Sequence, residues 1–383
     1  MDNNVISEIN KWDELNLKHD LLRGIYVYGF ENPSPIQRKA ILPILKGHDV
    51  IGQAQSGTGK TGTFSIGILN AIDTQYPHTQ AMIMAPTHEL ARQISMVVSG
   101  IGSTIKDLRI KTVIGGNSIE DDIRDFRRSP PPHIIVGCPG RIYDLLKRRV
   151  LHINHVRIFA LDEADEMLSA GLKTQIYHIF QYLNESVQVV IFSATIPPEI
   201  MAITEKFMRD PIKITMRAEN LSLDCIEQYY LAVANDSDKY NCLSDLFSSI
   251  SISQCIIYCN SVGRVVELYR AMTNDNFPVC CIHSNMSKSE REKSFAAFRT
   301  GTFRVLISSN VTARGIDIQQ VSTVINFDIP NCVHTYLHRI GRSGRWGKKG
   351  LAINFVTKHD IRKMRDIESH YQISIRELQA GVL

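Results

Sequence analysis

A chain of 383 residues with 44% hydrophobic content is long enough for about two domains, each with a core of its own, which excludes disorder over most of its length. The 43 lysines and arginines against 39 aspartates and glutamates leave a net charge of +4, too mild to identify a nucleic-acid partner by itself. Eight cysteines without a CxxC pair argue against a disulfide framework, and no run reaches the ~18 apolar residues of a membrane span.

In chain order, residues 1–16 are polar and acidic and lack the positive start and apolar centre of a secretory signal. The chain is therefore expected to be soluble and intracellular, in the cytoplasm first, with the nucleus or nucleolus as alternatives. Trp12 and Phe30, taken alone, read equally as core aromatics or as rings facing a ligand. Short apolar runs follow at 50–52, 81–85, 111–114, 133–136, 158–161 and 187–192, separated by longer amphipathic stretches. That rhythm predicts buried parallel strands covered by helices.

Directly after the first run stands Ala54-Gln55-Ser56-Gly57-Thr58-Gly59-Lys60-Thr61, a glycine-rich turn entering a helical stretch. Such a turn lets successive backbone N–H groups face phosphates while the helix N-terminus adds partial positive charge. Lys60 then reaches the β and γ oxygens, and the Thr61 hydroxyl can bind magnesium. Ala54 departs from the first glycine of the general pattern, and on this string alone a plain glycine-rich turn stays open. The run at 158–161 ends in Asp162-Glu163-Ala164-Asp165. Carboxylates at the C-terminal end of a strand suit magnesium chemistry, with Asp162 holding the ion and Glu163 orienting the attacking water. The alternative is an acidic turn capping the next helix.

Past Phe207, the string Met208-Arg209-Asp210-Pro211 and a mixed polar segment break the period. The expected division is an N-terminal segment at 1–39, an ATP-binding domain at 40–211, a linker at 212–221 and a C-terminal domain at 222–383. The second half repeats the strand rhythm at 255–258, 279–282, 305–308, 323–327 and 352–356. Cys280 and Cys281 lie in the second of these runs with His283 just past its end; the cysteines read as buried core thiols rather than, with His283, zinc ligands, since neighbouring side chains of a strand face opposite ways.

The quartet Asp162-Glu163-Ala164-Asp165 together with the turn at 54–61 resembles the DEAD-box ATP-dependent RNA helicases, and the resemblance runs the length of the chain. It implies an α/β fold of two RecA-like domains, each a mainly parallel sheet flanked by helices and joined by a short linker. Trp12 and the strings Gly29-Phe30 and Pro33-Ser34-Pro35-Ile36-Gln37 resemble the family's adenine-reading motif, in which Phe30 stacks on the base and Gln37 reads its edge. Ser193-Ala194-Thr195 resembles the motif that couples hydrolysis to unwinding. Ala313-Arg314-Gly315-Ile316-Asp317 resembles the one whose aspartate meets the ribose. In His338-Arg339-Ile340-Gly341-Arg342-Ser343-Gly344-Arg345 the resemblance makes Arg342 and Arg345 the fingers that stabilise the transferring phosphate. Without it, the string is a basic surface loop. Fingers in one half and cradle in the other imply that hydrolysis waits on closure, which ATP and RNA would each favour.

On the same resemblance, RNA runs across Pro86-Thr87, Gly115-Gly116 and Pro139-Gly140-Arg141 in the first domain and Asn260, Arg291 and Ser309 in the second. Such contacts reach phosphates and sugars and carry no base sequence. The expected ligands are ATP, magnesium and single-stranded or short duplex RNA. The expected protein partner is a scaffold or activator, such as a scaffold of the cap-binding complex, and the chain itself is expected to be a monomer. The absence of long flanking extensions fits the minimal two-domain subgroup that acts in translation initiation; an ATP-gated RNA clamp and a ribosome-assembly helicase share the same motifs. The departures from the family pattern are His88 for arginine, Cys138 for threonine, Lys288 for glutamine, Ser309 for threonine and Asn310 for aspartate. Of these, His88 and Cys138 predict weak binding of RNA by the chain alone and dependence on a partner, because neutral histidine and a thiol are poorer donors than the residues they replace.

Overall fold

The computed structural model describes residues 8–54, 57–116, 118–169, 171–216, 226–249, 253–310, 321–343 and 350–379. The chain divides into two compact units, Met1–Arg217 and Ala218–Leu383. In the first, the described elements are α1 (His19–Val27), α2 (Pro35–Leu45), β1 (Val50–Gln53), α3 (Lys60–Ala71), β2 (Ala81–Met84), α4 (His88–Ile101), β3 (Ile110–Val113), α5 (Ile119–Arg128), β4 (Ile134–Gly137), α6 (Pro139–Lys147), β5 (Ile158–Leu161), α7 (Ala164–Ser169), α8 (Lys173–Phe180), β6 (Gln188–Ser193), α9 (Pro198–Phe207) and β7 (Ile212–Thr215). The second holds β8 (Ile226–Ala232), α10 (Lys239–Ser249), β9 (Cys255–Tyr258), α11 (Val262–Asn274), β10 (Val279–Ile282), α12 (Lys288–Arg299), β11 (Val305–Ser308), β12 (Thr323–Asn326), α13 (Val333–Ile340), β13 (Gly350–Val356), α14 (Ile361–Tyr371) and β14 (Arg376–Glu377).

Each unit is built on a seven-stranded parallel sheet, in the order β3-β4-β2-β5-β6-β1-β7 and β10-β11-β9-β12-β13-β8-β14. The strands are continuously apolar because both faces are covered. In β5, Ile158 and Ala160 belong to one core layer while Phe159 and Leu161 belong to the opposite one. In the second unit Ile256 and Tyr258 of β9 face one layer, Cys255 and Ile257 the other. The Cys280 thiol sits in the first of these layers, within 3.7 Å of the Ser294 and Val305 carbonyls. Among the described residues no helix is long and apolar enough to cross a membrane.

The strand order positions the chemistry. Ligands of parallel sheets gather beyond the C-terminal ends of the strands. In the first unit β5, β6 and β1 are neighbours, so the segments that leave them (Asp162-Glu163, Ala194-Thr195 and the turn from Ala54) lie side by side. The neighbouring trio β3, β4 and β2 delivers Gly115-Gly116, Cys138-Pro139 and Pro86-Thr87 to the other half of the same edge.

One boundary differs from expectation. Residues 212–215, assigned to the linker, form β7, which pairs with β1 through Val50↔Ile212 and Gly52↔Ile214. Only Ile214 of that strand is buried, so its apolar signal is faint. The rest of the expected linker from residue 217 lies outside the described residues, as do Gln55, Ser56, Asp317 and Arg345.

Candidate functional site

Between β1 and α3 the backbone turns through two glycines in the left-handed region, Gly57 at φ 83° and Gly59 at φ 101°. Gly59 is also the N-cap of α3, and a Cβ there would meet Ser34 Oγ at 2.7 Å and Gln37 Nε2 at 3.0 Å. Glycine is required on both counts. The turn therefore presses on the start of α2, where Gln37 Nε2 donates to Gly59 O at 3.3 Å. Gln37 Oε1 accepts from Ser34 N at 2.7 Å. Each end of the amide keeps one further hydrogen-bonding valence, one donor and one acceptor, the pair needed for the edge of adenine. Phe30 stands beside Gly62, where an added Cβ would lie 2.9 Å from the ring.

Trp12 is a correction. It is fully buried, stacks at 6.3 Å and 19° on Phe30, and donates from Nε1 to Phe30 O at 3.0 Å. It fixes Phe30 from behind instead of facing a ligand. Tyr28, which meets Phe30 edge-on at 5.0 Å, completes that support and was not singled out from the sequence.

Lys60 opens α3 and is buried, its Nζ 3.1 Å from Glu163 Oε1, with both side chains under 5% exposed. Burial works against the lysine charge, yet Glu163, Asp162 and Asp165 around it hold its pKa above the ordinary value. The Thr61 hydroxyl lies 3.4 Å from Asp162 Oδ2, and the Glu163 amide donates to Asp162 Oδ1 at 3.0 Å. Burial raises the Asp162 carboxyl to about 7, opposed by Lys60 and reinforced by the negative charge of Glu163. Glu163 itself sits at φ 50°, a conformation that costs a non-glycine residue energy and is concentrated at functional sites. Its Oε2 is buried with no hydrogen-bond partner.

These residues fit magnesium and a triphosphate. With all groups ionised, one lysine faces three carboxylates (Asp162, Glu163, Asp165), a net of −2, and the donors are hard oxygens. Among the described residues no group of three or more His, Cys, Asp or Glu is arranged to hold a metal alone. Asp162 and Thr61 thus suit an ion that takes its other ligands from phosphate and water, the usual habit of magnesium.

Asp165 ties this cluster to the next strand. Its amide donates to Ser193 Oγ at 3.2 Å, and Thr195 Oγ1 donates to its carboxylate at 2.8 Å. Ser193 is fully buried at the end of β6, Ala194 O accepts from Gln53 Nε2 at 3.4 Å, and the Ala54 amide donates to Ser193 O at 3.0 Å. The acidic turn is thereby bonded directly to Ser193 and Thr195, and Ser193 in turn to the start of the cradle at Ala54.

On the other half of the sheet edge, Thr87 caps α4 by accepting from Leu90 N at 3.2 Å, and Gly115 packs close to His88. Gly116 is left-handed at φ 90°, and a Cβ on Gly140 would meet nothing within 4 Å, so that turn is open to an approaching backbone. Two neighbours differ from expectation. Arg141 is ion-paired with Asp122 of α5 and is 11% exposed, so its charge is engaged inside the fold. Cys138 is buried, its thiol pushed up to about 12 by burial, and it is the N-cap of α6 without a side-chain cap bond.

In the second unit Asn260 turns inward. Its Nδ2 donates to Ile329 O at 2.8 Å and its Oδ1 accepts from Arg339 Nη2 at 2.8 Å. Ser309 is buried at the end of β11, while Arg291 on α12 is half-buried. Arg342 is also buried, with Nε donating to His338 O at 3.2 Å. The residue that sequence reasoning passed over is Arg339, the fully buried hub joining Asn260, Asn310 and Asn326. Its signal was present, since an arginine two residues before a glycine in a basic string need not point outward.

Residues 34–203 match the DEAD/DEAH box helicase family and residues 238–347 the helicase conserved C-terminal domain. An "ATP-dependent RNA helicase eIF4A" of Eremothecium gossypii is 50% identical over 374 residues, covering 98% of this chain and 94% of that protein. The chain belongs to the DEAD-box family of ATP-dependent RNA helicases. "Eukaryotic initiation factor 4A" of Caenorhabditis elegans is 48% identical over 98% of this chain and 92% of its own length. Among solved structures, S. cerevisiae Dbp5 bound to RNA and ADP BeF3 matches with a TM-score of 0.89 at 33% identity, covering 97% of this chain and 96% of that one. The two parallel seven-stranded sheets with their helices are the RecA-like domains of a DEAD-box helicase.

Proposed function

We propose that this DEAD-box chain hydrolyses ATP to separate short RNA duplexes or remodel RNA–protein complexes in translation initiation. The observation that carries the chemistry is the buried Lys60–Glu163–Asp162 cluster joined through Asp165 to Ser193 and Thr195. The relatives named as initiation factor 4A, 48–50% identical over nearly the whole chain, support the cellular role.

In this reading Phe30, positioned by Trp12, stacks on adenine and Gln37 reads its edge. The turn at 54–59 presents backbone N–H groups to the phosphates, and Lys60 neutralises the β and γ oxygens. Thr61 and Asp162 hold magnesium, which when bound draws charge from those oxygens. Glu163 aligns the attacking water and receives its proton, with Oε2 the atom available for it. Arg342, Arg345 and Asp317 of the second unit stabilise the transferring phosphate and hold the ribose. Full turnover is accordingly expected of the whole chain and not of its first unit alone. Pro86-Thr87, Gly115-Gly116, Pro139-Gly140, Arg291 and Ser309 follow the RNA backbone, while Arg141 and Asn260 shape the turns that do so.

The protein partner we assign is an activating scaffold, and the compartment is the cytoplasm. S. cerevisiae Dbp5, which the chain matches at 32% identity and a TM-score of 0.82, has been solved bound to gle1 and ip6, and an activator of comparable kind is expected here. The test is RNA-stimulated ATP turnover with strand separation by the full chain, together with recovery of partners from cells. Slow RNA release without turnover would favour a clamp instead, and recovery of ribosome precursors would move the role to ribosome assembly.

A further inference from the structure

The phosphate turn and the first-unit segments expected to meet RNA leave the C-terminal ends of the first sheet, and the opposite edge of that sheet has its own chemistry. There β3, β4, β2 and β5 begin in a hydrogen-bonded row: His133 N donates to Arg109 O, Gln80 N to His133 O and Arg157 N to Gln80 O, each at 2.8 Å. At the usual spacing of strands this row is about 14 Å long. Helices that connect parallel strands run back against them, so α4, α5 and α6 end at the same edge. Six exposed cations gather there: Lys106 beyond α4, Arg127 and Arg128 in the last turn of α5, Lys147 and Arg149 at the end of α6, and Arg157 just before β5. Among the described residues none of the six has a carboxylate within 4.0 Å, whereas their neighbours Lys111 and Arg148 are paired with Asp125 and Asp144. Asn117, the one residue of 72–157 outside that set, is neutral. Six unmatched charges exceed the net +4 of the whole chain, so its positive charge is concentrated on this edge.

A helix dipole favours cations in a last turn, which accounts for Arg127, Arg128 and Lys147. It does not account for Arg149, which follows the C-cap of α6 in the left-handed region at φ 56°. That position is usually glycine, and a bulky side chain there strains the backbone. Beside Arg157 stands a stack of rings. The guanidinium lies 5.6 Å from the centre of the Tyr76 ring, Tyr76 meets His78 at 4.6 Å, and the His78 and His155 rings are 4.1 Å apart. A 2.8 Å hydrogen bond between the Tyr76 hydroxyl and His155 Nδ1 fixes the arrangement, and His155 is exposed. Unpaired cations beside a fixed, accessible ring suit a single nucleic-acid strand, whose phosphates take the charges and whose bases stack; an acidic peptide would use the charges alone.

We infer that this edge is a second face for single-stranded RNA, carried by the first unit alone and separate from the segments at the strand C-terminal ends. The inference rests on the reading of the chain as an RNA helicase. Contacts to phosphates and to the flat faces of bases carry no sequence preference. Because the face is complete within one unit, it needs neither ATP nor the second unit, and it keeps a strand attached while the ATP-dependent contacts are open. The test uses the full chain, an unstructured single-stranded RNA and a salt series without nucleotide. Arg149→Gly with Arg157→Gln removes two of the charges and relieves the left-handed backbone, so the fold is kept. RNA affinity should fall about tenfold, at about half a decade for each phosphate contact, and the salt slope should become shallower by about 1.4, at about 0.7 for each phosphate on a single strand. Arg128→Gln with Lys147→Gln should give the same loss from the neighbouring helix ends. ATP turnover at saturating RNA should stay at the parental rate in both.

His155→Ala removes the exposed ring without touching a charge, and it should weaken binding about fivefold or more with the slope unchanged. Parental RNA affinity in the arginine variants or in His155→Ala overturns the inference while leaving the helicase reading intact. So does a loss of binding to polyglutamate with RNA binding kept, which would make the edge a docking surface for an acidic protein. A parent chain that neither binds RNA in any nucleotide state nor turns over ATP in its presence overturns both.

Discussion

Replacing Glu163 with glutamine separates the chemistry of the site from its architecture. Glutamine keeps the size of the side chain and can still accept from Lys60 through the oxygen now 3.1 Å from Nζ. Lys60 also retains Asp162 and Asp165 among the charges that stabilise it, so the variant avoids the ~3–5 kcal/mol cost of stranding one partner of a buried ion pair. The cluster's net charge falls from −2 to −1 with all groups ionised. Because Glu163 is one of the groups that raise Asp162, the Asp162 carboxyl moves down from about 7 and is more fully ionised at neutral pH. Affinity for ATP with magnesium should therefore be kept or improved. What disappears is the base that aligns water and takes its proton, a contribution of ~10²–10⁴ in rate. The assay is steady-state ATP turnover with saturating RNA, paired with equilibrium binding of a fluorescent ATP analogue. Turnover within a few-fold of the parent would refute the assignment of Glu163. A loss of nucleotide affinity equal to the loss of turnover would show that the residue only holds the pocket together.

Asp162→Asn tests the raised carboxyl. A folded-state pKa of about 7 against 3.8 means that the folded chain holds the proton more tightly, so the contribution of Asp162 to stability is full below about pH 4 and is lost as pH rises through about 7. The nucleotide-free parent should lose thermal stability across that window more steeply than the variant, and parallel curves would contradict the environment described. Cys138→Thr should add the missing side-chain cap on α6 and stabilise the first unit by about 1 kcal/mol, read by denaturant unfolding, with RNA affinity unchanged because the position is buried. Arg342→Ala should cost far more in turnover than in ATP affinity, since a finger acts on the transition state, and a loss confined to binding would make it a ground-state phosphate ligand.

What was legible in the sequence follows from how local each signal is. A run such as 158–161 is buried on both faces and announces itself as apolar throughout, whereas β7 is an edge strand with one buried residue, and β8 mixes Glu227 and Gln228 with half-buried tyrosines. The cradle and the acidic quartet were readable because each is a single string with its own chemistry. Their meeting was not, since it depends on the strand order β5-β6-β1, and no string reveals that Asp165 will bond across to Ser193 and Thr195.

The residues whose orientation was misjudged share one physical cause. Strand ends and helix starts have unpaired polar groups and charges of their own to satisfy, and polar side chains nearby are drawn into that work. Arg141 answers Asp122, Asn260 answers Arg339 and Ile329, and Trp12 gives its only N–H to Phe30. Each is polar and placed in a functional string, yet each serves the scaffold beneath the surface. Position 310 belongs with them. Asparagine in place of aspartate reads in the sequence only as a departure among the RNA-side residues, whereas in the packing its Oδ1 accepts from Nε and Nη2 of the buried Arg339. A departure from a family pattern therefore has no fixed meaning until the partner of the altered atom is known.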